Sequence, residues 1–218
     1  MFESVRPYIS DGTLLEIGSG IGNISSLFIQ NGYEISLSDI RTHYCEALEK
    51  RFQSKSELKG VHNIDLVDPD FEIKHANIIG TFDNIFALNV IEHIQNDFKA
   101  LNNIHKLLRP GGRFIMLVPA YERIYNRFDK ELYHYRRYNR SSASKLFTHT
   151  GMEVKKTYYF NAAGILGWVF FGGILKNRMI KRTEVTAYDT FVPIFKVLDR
   201  LLLNKIGLSV VVVGEKKS

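Results

Sequence analysis

Glu16, Gly18, Gly20 and Gly22 stand at alternate positions in L-L-E-I-G-S-G-I-G-N, and that spacing outlines a ligand site before any fold is assumed. Glycine permits φ > 0 and lacks the Cβ that would hold a ligand away from the backbone. An apolar run, Thr13 to Ile17, comes just before, and a helical pattern (Ile24, Leu27, Phe28) opens at Asn23. Strand, turn and helix start therefore meet here, where free N–H groups and a positive dipole end are available. The spacing is not the G-x-G-x-x-G of a dinucleotide fold, which seats pyrophosphate on the helix N-terminus. A carboxylate at Glu16 would repel pyrophosphate and suits a ligand carrying an ammonium group. A glycine-rich turn without a ligand is the structural alternative.

Other residues add chemistry. Asp39 follows Gly22 by 17 residues at the end of the next strand pattern, where a carboxylate accepts both ribose hydroxyls in nucleotide-binding α/β folds. It could equally cap a helix starting near Thr42. For a hydroxyl substrate that must lose a proton near neutral pH, His134 is the first choice of base and His93 the second. As alternatives, His93 is a helix-start residue bonded to backbone, and His134 a surface residue. Arg136 and Arg137 could grip a phosphate or carboxylate bidentately, or be solvated.

The elements positioning these groups follow from periodicity. A short covering helix is read over 2–10, then a turn at Asp11-Gly12. A helix from Asn23 to Gln30 ends at Asn31-Gly32. Tyr33 to Ser38 alternates as a strand, 42–53 is amphipathic with Tyr44, Leu48 and Phe52 on one stripe, and Val61 to Leu66 is a third strand. Phe82 to Asn89 is the fourth, followed by a helix with Phe98, Leu101, Ile104 and Leu108 on one face. Arg109-Pro110-Gly111-Gly112 breaks that helix, and Arg113 to Pro119 is a fifth strand. A helix (Ser141 to Thr150) and strands Val154 to Phe160 and Leu208 to Val213 complete the set, the last antiparallel. Repeated β-α units with buried apolar runs predict a doubly wound, seven-stranded, mostly parallel sheet of the Rossmann-like α/β class.

The first motif, E-x-G-x-G-x-G, together with F-D-x-I-x-x-x-N-V-I-E-H-I and L-R-P-G-G-R-F, resembles the class I S-adenosylmethionine-dependent methyltransferases over residues 11–119. With lower specificity, H-x-R-R-Y at 134–138 occurs in bacterial small-molecule methyltransferases, many of which act on envelope glycans or lipids. The resemblance implies S-adenosyl-L-methionine as cofactor. Glu16, Gly18, Ser19, Gly20, Gly22 and Asn23 would hold its amino-acid portion, and Asp39 its ribose. Ile40 and Leu66 would flank adenine, Asp65 would bind its amino group, and Asn89 and Val90 would face the methionine moiety. Tyr121, Tyr133, Arg136 and Arg137 are the expected acceptor contacts. No metal is expected: the quinone O-methyltransferases that share V-x-E-H use an acid three residues before its Glu, and here that position is Asn89.

Composition bounds the partners. The chain has 218 residues, 45% of them hydrophobic and 24% charged, as in an ordinary globular protein. One cysteine, Cys45, reads as a small packing residue and excludes an internal disulfide. With no leader pattern at the N-terminus, it points to the cytoplasm. Residues 1–120 carry 11 Lys/Arg against 15 Asp/Glu, and 121–218 carry 18 against 8, which favours an anionic acceptor or an acidic membrane face. No nucleic-acid module is visible, so nucleic acid is not the expected partner.

Residues 161–205 read as an apolar, basic, helical insertion before the last strand. Phe160 to Leu175 is uncharged but holds four glycines, too few and too broken a run to span ~30 Å of hydrocarbon. With Lys176, Arg178, Lys181 and Arg182, the stretch 160–182 could lie on the inner membrane face. A second stripe (Phe191, Ile194, Phe195, Leu198, Leu202) offers a substrate cap or a homodimer contact instead. The expected function is methyl transfer to an oxygen, less readily a nitrogen, of a small anionic saccharide- or lipid-linked acceptor. A catalytically silent cofactor-binding partner and a nicotinamide-dependent oxidoreductase are the competing readings.

Overall fold

The computed structural model describes residues 1–162, 164, 165, 168 and 205–217. The chain opens with α1 (Phe2–Val5), followed by β1 (Leu14–Ile17), α2 (Asn23–Gln30), β2 (Ile35–Asp39), α3 (Thr42–Phe52) and β3 (Leu58–Asn63). Next come α4 (Phe71–Lys74), β4 (Phe82–Leu88), α5 (Asp97–Leu107) and β5 (Leu108–Pro119). Then follow α6 (Arg127–Glu131), α7 (Arg140–His149), β6 (Met152–Phe160) and β7 (Ser209–Lys216). The strands form a seven-stranded sheet in the order β3-β2-β1-β4-β5-β7-β6. β1 to β5 run parallel, whereas β7 is antiparallel to both β5 and β6.

Successive residues in a strand point to opposite faces, and here both faces are covered. Leu15, Ile17, Ile85, Ala87 and Met116 pack toward α5 and α7, with Leu101, Ile104 and Phe147. Leu14, Phe86, Ile115 and Leu117 pack on the other face with Phe28 of α2 and Leu48 of α3. Val210 to Val213 in β7 are all buried for the same reason. The chain leaves β1 toward β2 and β3 on one side, then returns to build β4 and β5 on the other. That reversal opens a crevice at the carboxyl ends of β1 and β4, where open α/β sheets bind ligands.

Several boundaries differ from the sequence reading. β3 ends at Asn63, so Asp65 and Leu66 lie in the turn beyond it. This strand is an edge paired only with β2, and an edge needs no continuous apolar run. β5 starts at Leu108 and takes in Arg109 to Gly112 as a bulge, its register jumping from Phe82↔Leu108 to Asn84↔Arg113. Leu108 is therefore not on α5, and Phe98 is 44% exposed, because Ala100, Leu101, Ile104 and Leu107 already fill the buried face. α7 begins one residue early, since Asn139 and Ser142 form a capping box. Cys45 is a buried free thiol. The apolar and amphipathic stripes expected within 161–205 lie almost wholly outside the described residues, and no described helix is long and apolar enough to cross a membrane.

Candidate active site

The glycine turn is held by its own backbone and by β2. Ser19 N–H donates to Ser38 O at 2.8 Å and Gly22 N–H to Ser19 O at 2.9 Å. Gly18 and Gly20 have φ of 73° and 54°, a region that favours glycine. A Cβ on Gly18 would stand 2.5 Å from Val90 Cγ2, while one on Gly20 would meet nothing within 4 Å. Gly20 thus borders open space. Asp39 anchors the turn: its Oδ2 accepts the Gly20 N–H at 3.0 Å and its Oδ1 the Arg41 N–H at 2.9 Å.

Glu16 lies beneath the turn and does not line the crevice. Its buried carboxyl accepts from the Ser25 hydroxyl, and burial pushes its pKa up to about 7. Ser19, Gly22 and Asn23 likewise shape the turn without lining the crevice.

The crevice encloses about 900 Å³. Its floor is Ile17, Gly18 and Gly20; one wall holds Asp39, Ile40, Asp65 and Leu66, and the other Asn89, Val90 and His93. Asp65 is turned by its own Oδ1, which accepts the Val67 N–H at 2.9 Å. Asn63 Nδ2 donates to Asp39 O and Ile40 O, fixing the spacing of the β2 and β3 ends. Asn89 sits at φ 55° and donates its N–H to Leu117 O at 2.9 Å. That left-handed kink turns the chain after β4 into the crevice. Arg41, Tyr44, Leu132 and Tyr135 also line it, and sequence reasoning missed them because no motif marks them.

Residues 15–114 match the sequence profile of the family described as "Methyltransferase domain". The match spans just under half of the chain and supports a methyltransferase domain of the class I S-adenosylmethionine-dependent type. It is 29% identical over 112 residues to a lovastatin diketide synthase of Monascus pilosus, covering 48% of this chain and 4% of that one. It is 28% identical over 133 residues to the juvenile hormone acid O-methyltransferase of Drosophila melanogaster, covering 56% of this chain and 43% of that one. The fold matches phosphoethanolamine N-methyltransferase 2 of Haemonchus contortus, solved with S-adenosyl-L-methionine, at TM-score 0.65 and 16% identity. That match covers 99% of this chain and 52% of the solved one. The chain therefore spans less than half the length of these curated relatives.

In the crevice the two histidines exchange the places expected of them. His93 lines the crevice, whereas His134 does not. The His134 side chain is 8% exposed, and its Nδ1 lies 2.9 Å from Asp129 Oδ1. The same Asp129 oxygen accepts Arg137 Nε at 2.8 Å. The two imidazoles meet edge to face, their centroids 4.7 Å apart. Burial lowers the His93 pKa, with His134 beside it adding to the effect. Next to them Glu92 is fully buried, and among the described residues neither of its carboxyl oxygens has a hydrogen-bond partner. Burial raises its pKa to about 8. Asp129 and Glu92 were missed as site residues: no motif marks Asp129, and Glu92 belongs to one whose other acid is missing.

The expected anion grip is not present. Arg136 Nη1 lies 2.8 Å from Asp97 Oδ2, and its Nη2 donates to Gln95 O at 2.6 Å. Arg137 is buried, donates to Ala120 O as well as Asp129, and stacks over the Trp168 ring at 4.5 Å. Both guanidiniums are spent on the protein's own acceptors. Tyr121 stacks on Tyr159 at 4.9 Å away from the crevice, whereas Tyr133 lines it and is 82% exposed.

Proposed function

We propose that this chain transfers the methyl group of S-adenosyl-L-methionine to a hydroxyl oxygen of a small acceptor. The observation that carries the reading is the crevice at the β1/β4 reversal, in which bare Gly20 backbone and the Asp39 carboxylate stand side by side. The open space at Gly20 suits the amino-acid end of the cofactor. Asp39 keeps lone pairs free for the ribose hydroxyls, and Ile40, Leu66 and Asp65 suit the two faces and the edge of adenine. Gly18, Asn89 and Val90 border the sulfur end. When bound, the cofactor supplies an electrophilic methyl group on a sulfonium.

This chain's own residues orient the acceptor and manage its proton. His93 is the imidazole on the wall and receives the proton from the acceptor hydroxyl; the partial burial of its ring favours the neutral form that this needs. His134 stands behind it, so its place is support and not contact. Tyr133, Tyr135 and Leu132 give the mouth an apolar, aromatic lining, which fits the non-polar face of a saccharide or a lipid-linked group. An acidic group on the acceptor would meet Arg41 on the wall, because Arg136 and Arg137 are engaged elsewhere.

Calorimetric titration with S-adenosyl-L-methionine and, separately, NADH tests the reading. Binding of the sulfonium alone is expected, weakened about tenfold (~1.4 kcal/mol) by Asp39→Ala. Absence of sulfonium binding would remove the proposal.

A further inference from the structure

Glu92 poses a problem that the methyl-transfer reading leaves unsolved. A carboxyl group sealed from water and, among the described residues, without a hydrogen-bond partner is costly whether it ionises or keeps its proton, and a bound cation is one remedy. Arg137 is engaged with Asp129 and Ala120 O. What Glu92 does face is a pair of imidazoles. One ligand-capable atom from each of Glu92, His93 and His134 lies within 4.8 Å of the other two.

The partners behind these ligands are what a metal site needs. His134 presents Nδ1 to Asp129, leaving Nε2 to bind an ion, and Asp129 is itself fixed by Arg137 at 2.8 Å. The His93 ring lies beside the backbone of Tyr133 and Leu132. The ligands come from two segments, the turn after β4 and the segment after α6, so an ion would tie the two together. Because His93 is on the crevice wall, coordination positions would open toward the acceptor.

We propose that Glu92, His93 and His134 form a binding site for a divalent transition-metal ion, with open positions facing the crevice. Two imidazoles and one carboxylate suit zinc, manganese or iron(II) and not calcium or magnesium, which prefer all-oxygen sets. This replaces the expectation of no metal: the acid missing at Asn89 is made up by a histidine 45 positions further along the chain. The function of the ion rests on the methyl-transfer reading. An ion held by these three residues would lower the pKa of an acceptor hydroxyl, so that its proton could pass to crevice water and its oxygen could displace the sulfonium from the methyl carbon, leaving the neutral thioether. In the loaded site His93 is a ligand, and the ion replaces it in activating the acceptor.

The test uses the full chain stripped with a chelator, then titrated with Co²⁺ and with Zn²⁺. One equivalent per chain is expected, with visible Co²⁺ bands of a low-coordinate nitrogen/oxygen site and a metal-dependent rise in melting temperature. Glu92→Gln and His134→Ala should each weaken binding tenfold or more, and Asp129→Asn by 10- to 100-fold, as for other outer partners. His149→Ala, on the α7 surface, should leave it unchanged. Circular dichroism melts of each apo variant confirm that it folds. No stoichiometric binding, or binding equal in wild type and Glu92→Gln, overturns the proposal. Cofactor titration of the stripped protein is read separately: its failure sinks the methyl-transfer reading and leaves the metal site standing.

Discussion

Val90 Cγ2 lies 2.5 Å from the point where a Cβ on Gly18 would stand, so the turn after β1 and the turn after β4 interlock at the base of the crevice. Gly18→Ala must push Val90 aside and hold alanine at φ 73°. Urea unfolding should show a loss of about 2–5 kcal/mol from strain and overlap together. Gly20→Ala meets no neighbour, so it should cost only about 1–2 kcal/mol while blocking the ligand's approach to the backbone. Titration of both variants with S-adenosyl-L-methionine should therefore rank them in the opposite order to stability, relative to wild type at matched folding.

Glu16 makes stability depend on pH. Its folded pKa is raised from 4.5 to about 7, so the folded protein holds this proton more tightly than the unfolded chain. The contribution is fully present below pH 4.5 and is lost as pH rises through about 7, an amount of about 3 kcal/mol. Glu16→Gln should flatten that slope. Unfolding free energies for the two proteins at a series of pH values from 5 to 8 should diverge in favour of the variant as pH rises; parallel curves would refute the assignment.

Arg137 and Arg136 should behave differently despite being neighbours. Arg137→Ala leaves the fully buried Asp129 carboxylate with His134 and the Asn126 N–H but no guanidinium, and removing one partner of such a pair costs about 3–5 kcal/mol. Arg136 is about one-third exposed, and Arg136→Ala should cost about 1 kcal/mol or less. A drop in melting temperature for the first and little change for the second is expected. A rise in acceptor KM with unchanged stability would instead restore the anion-grip role.

Tyr133 and Tyr121 separate contact from packing. Tyr133→Ala removes an exposed ring from the crevice mouth and should lower kcat/KM for the acceptor about fivefold (~1 kcal/mol) with cofactor affinity unchanged. Tyr121→Ala breaks the stack on Tyr159 and should lower stability while sparing KM. Steady-state kinetics beside thermal melts decide between these outcomes.

The sequence by itself determined the sheet and the outline of the crevice, because both rest on local patterns. Apolar runs such as Leu14 to Ile17 and Phe114 to Val118 can only be strands covered on both faces. Glycines between strand and helix permit only a backbone turn, and an acid at the next strand end must stand beside it. Gly18, Gly20, Asp39 and Asn89 meet where their spacing placed them.

Tertiary structure decided everything that depended on partners distant in the chain. Arg136 and Arg137 look like free cations until Asp97 and Asp129 close on them. Asp65 left its strand because β3 is an edge with one neighbour, and no local signal marks an edge. His134 was the first choice of base and His93 the second, yet packing buried the first and turned the second to the crevice. Glu92 carries no sign of burial in its own neighbourhood. Its environment comes from the segment 129–137, which lies against it only when the sheet is complete. Periodicity reports which face a residue takes, but charge pairing and burial are set by what the fold brings to that face.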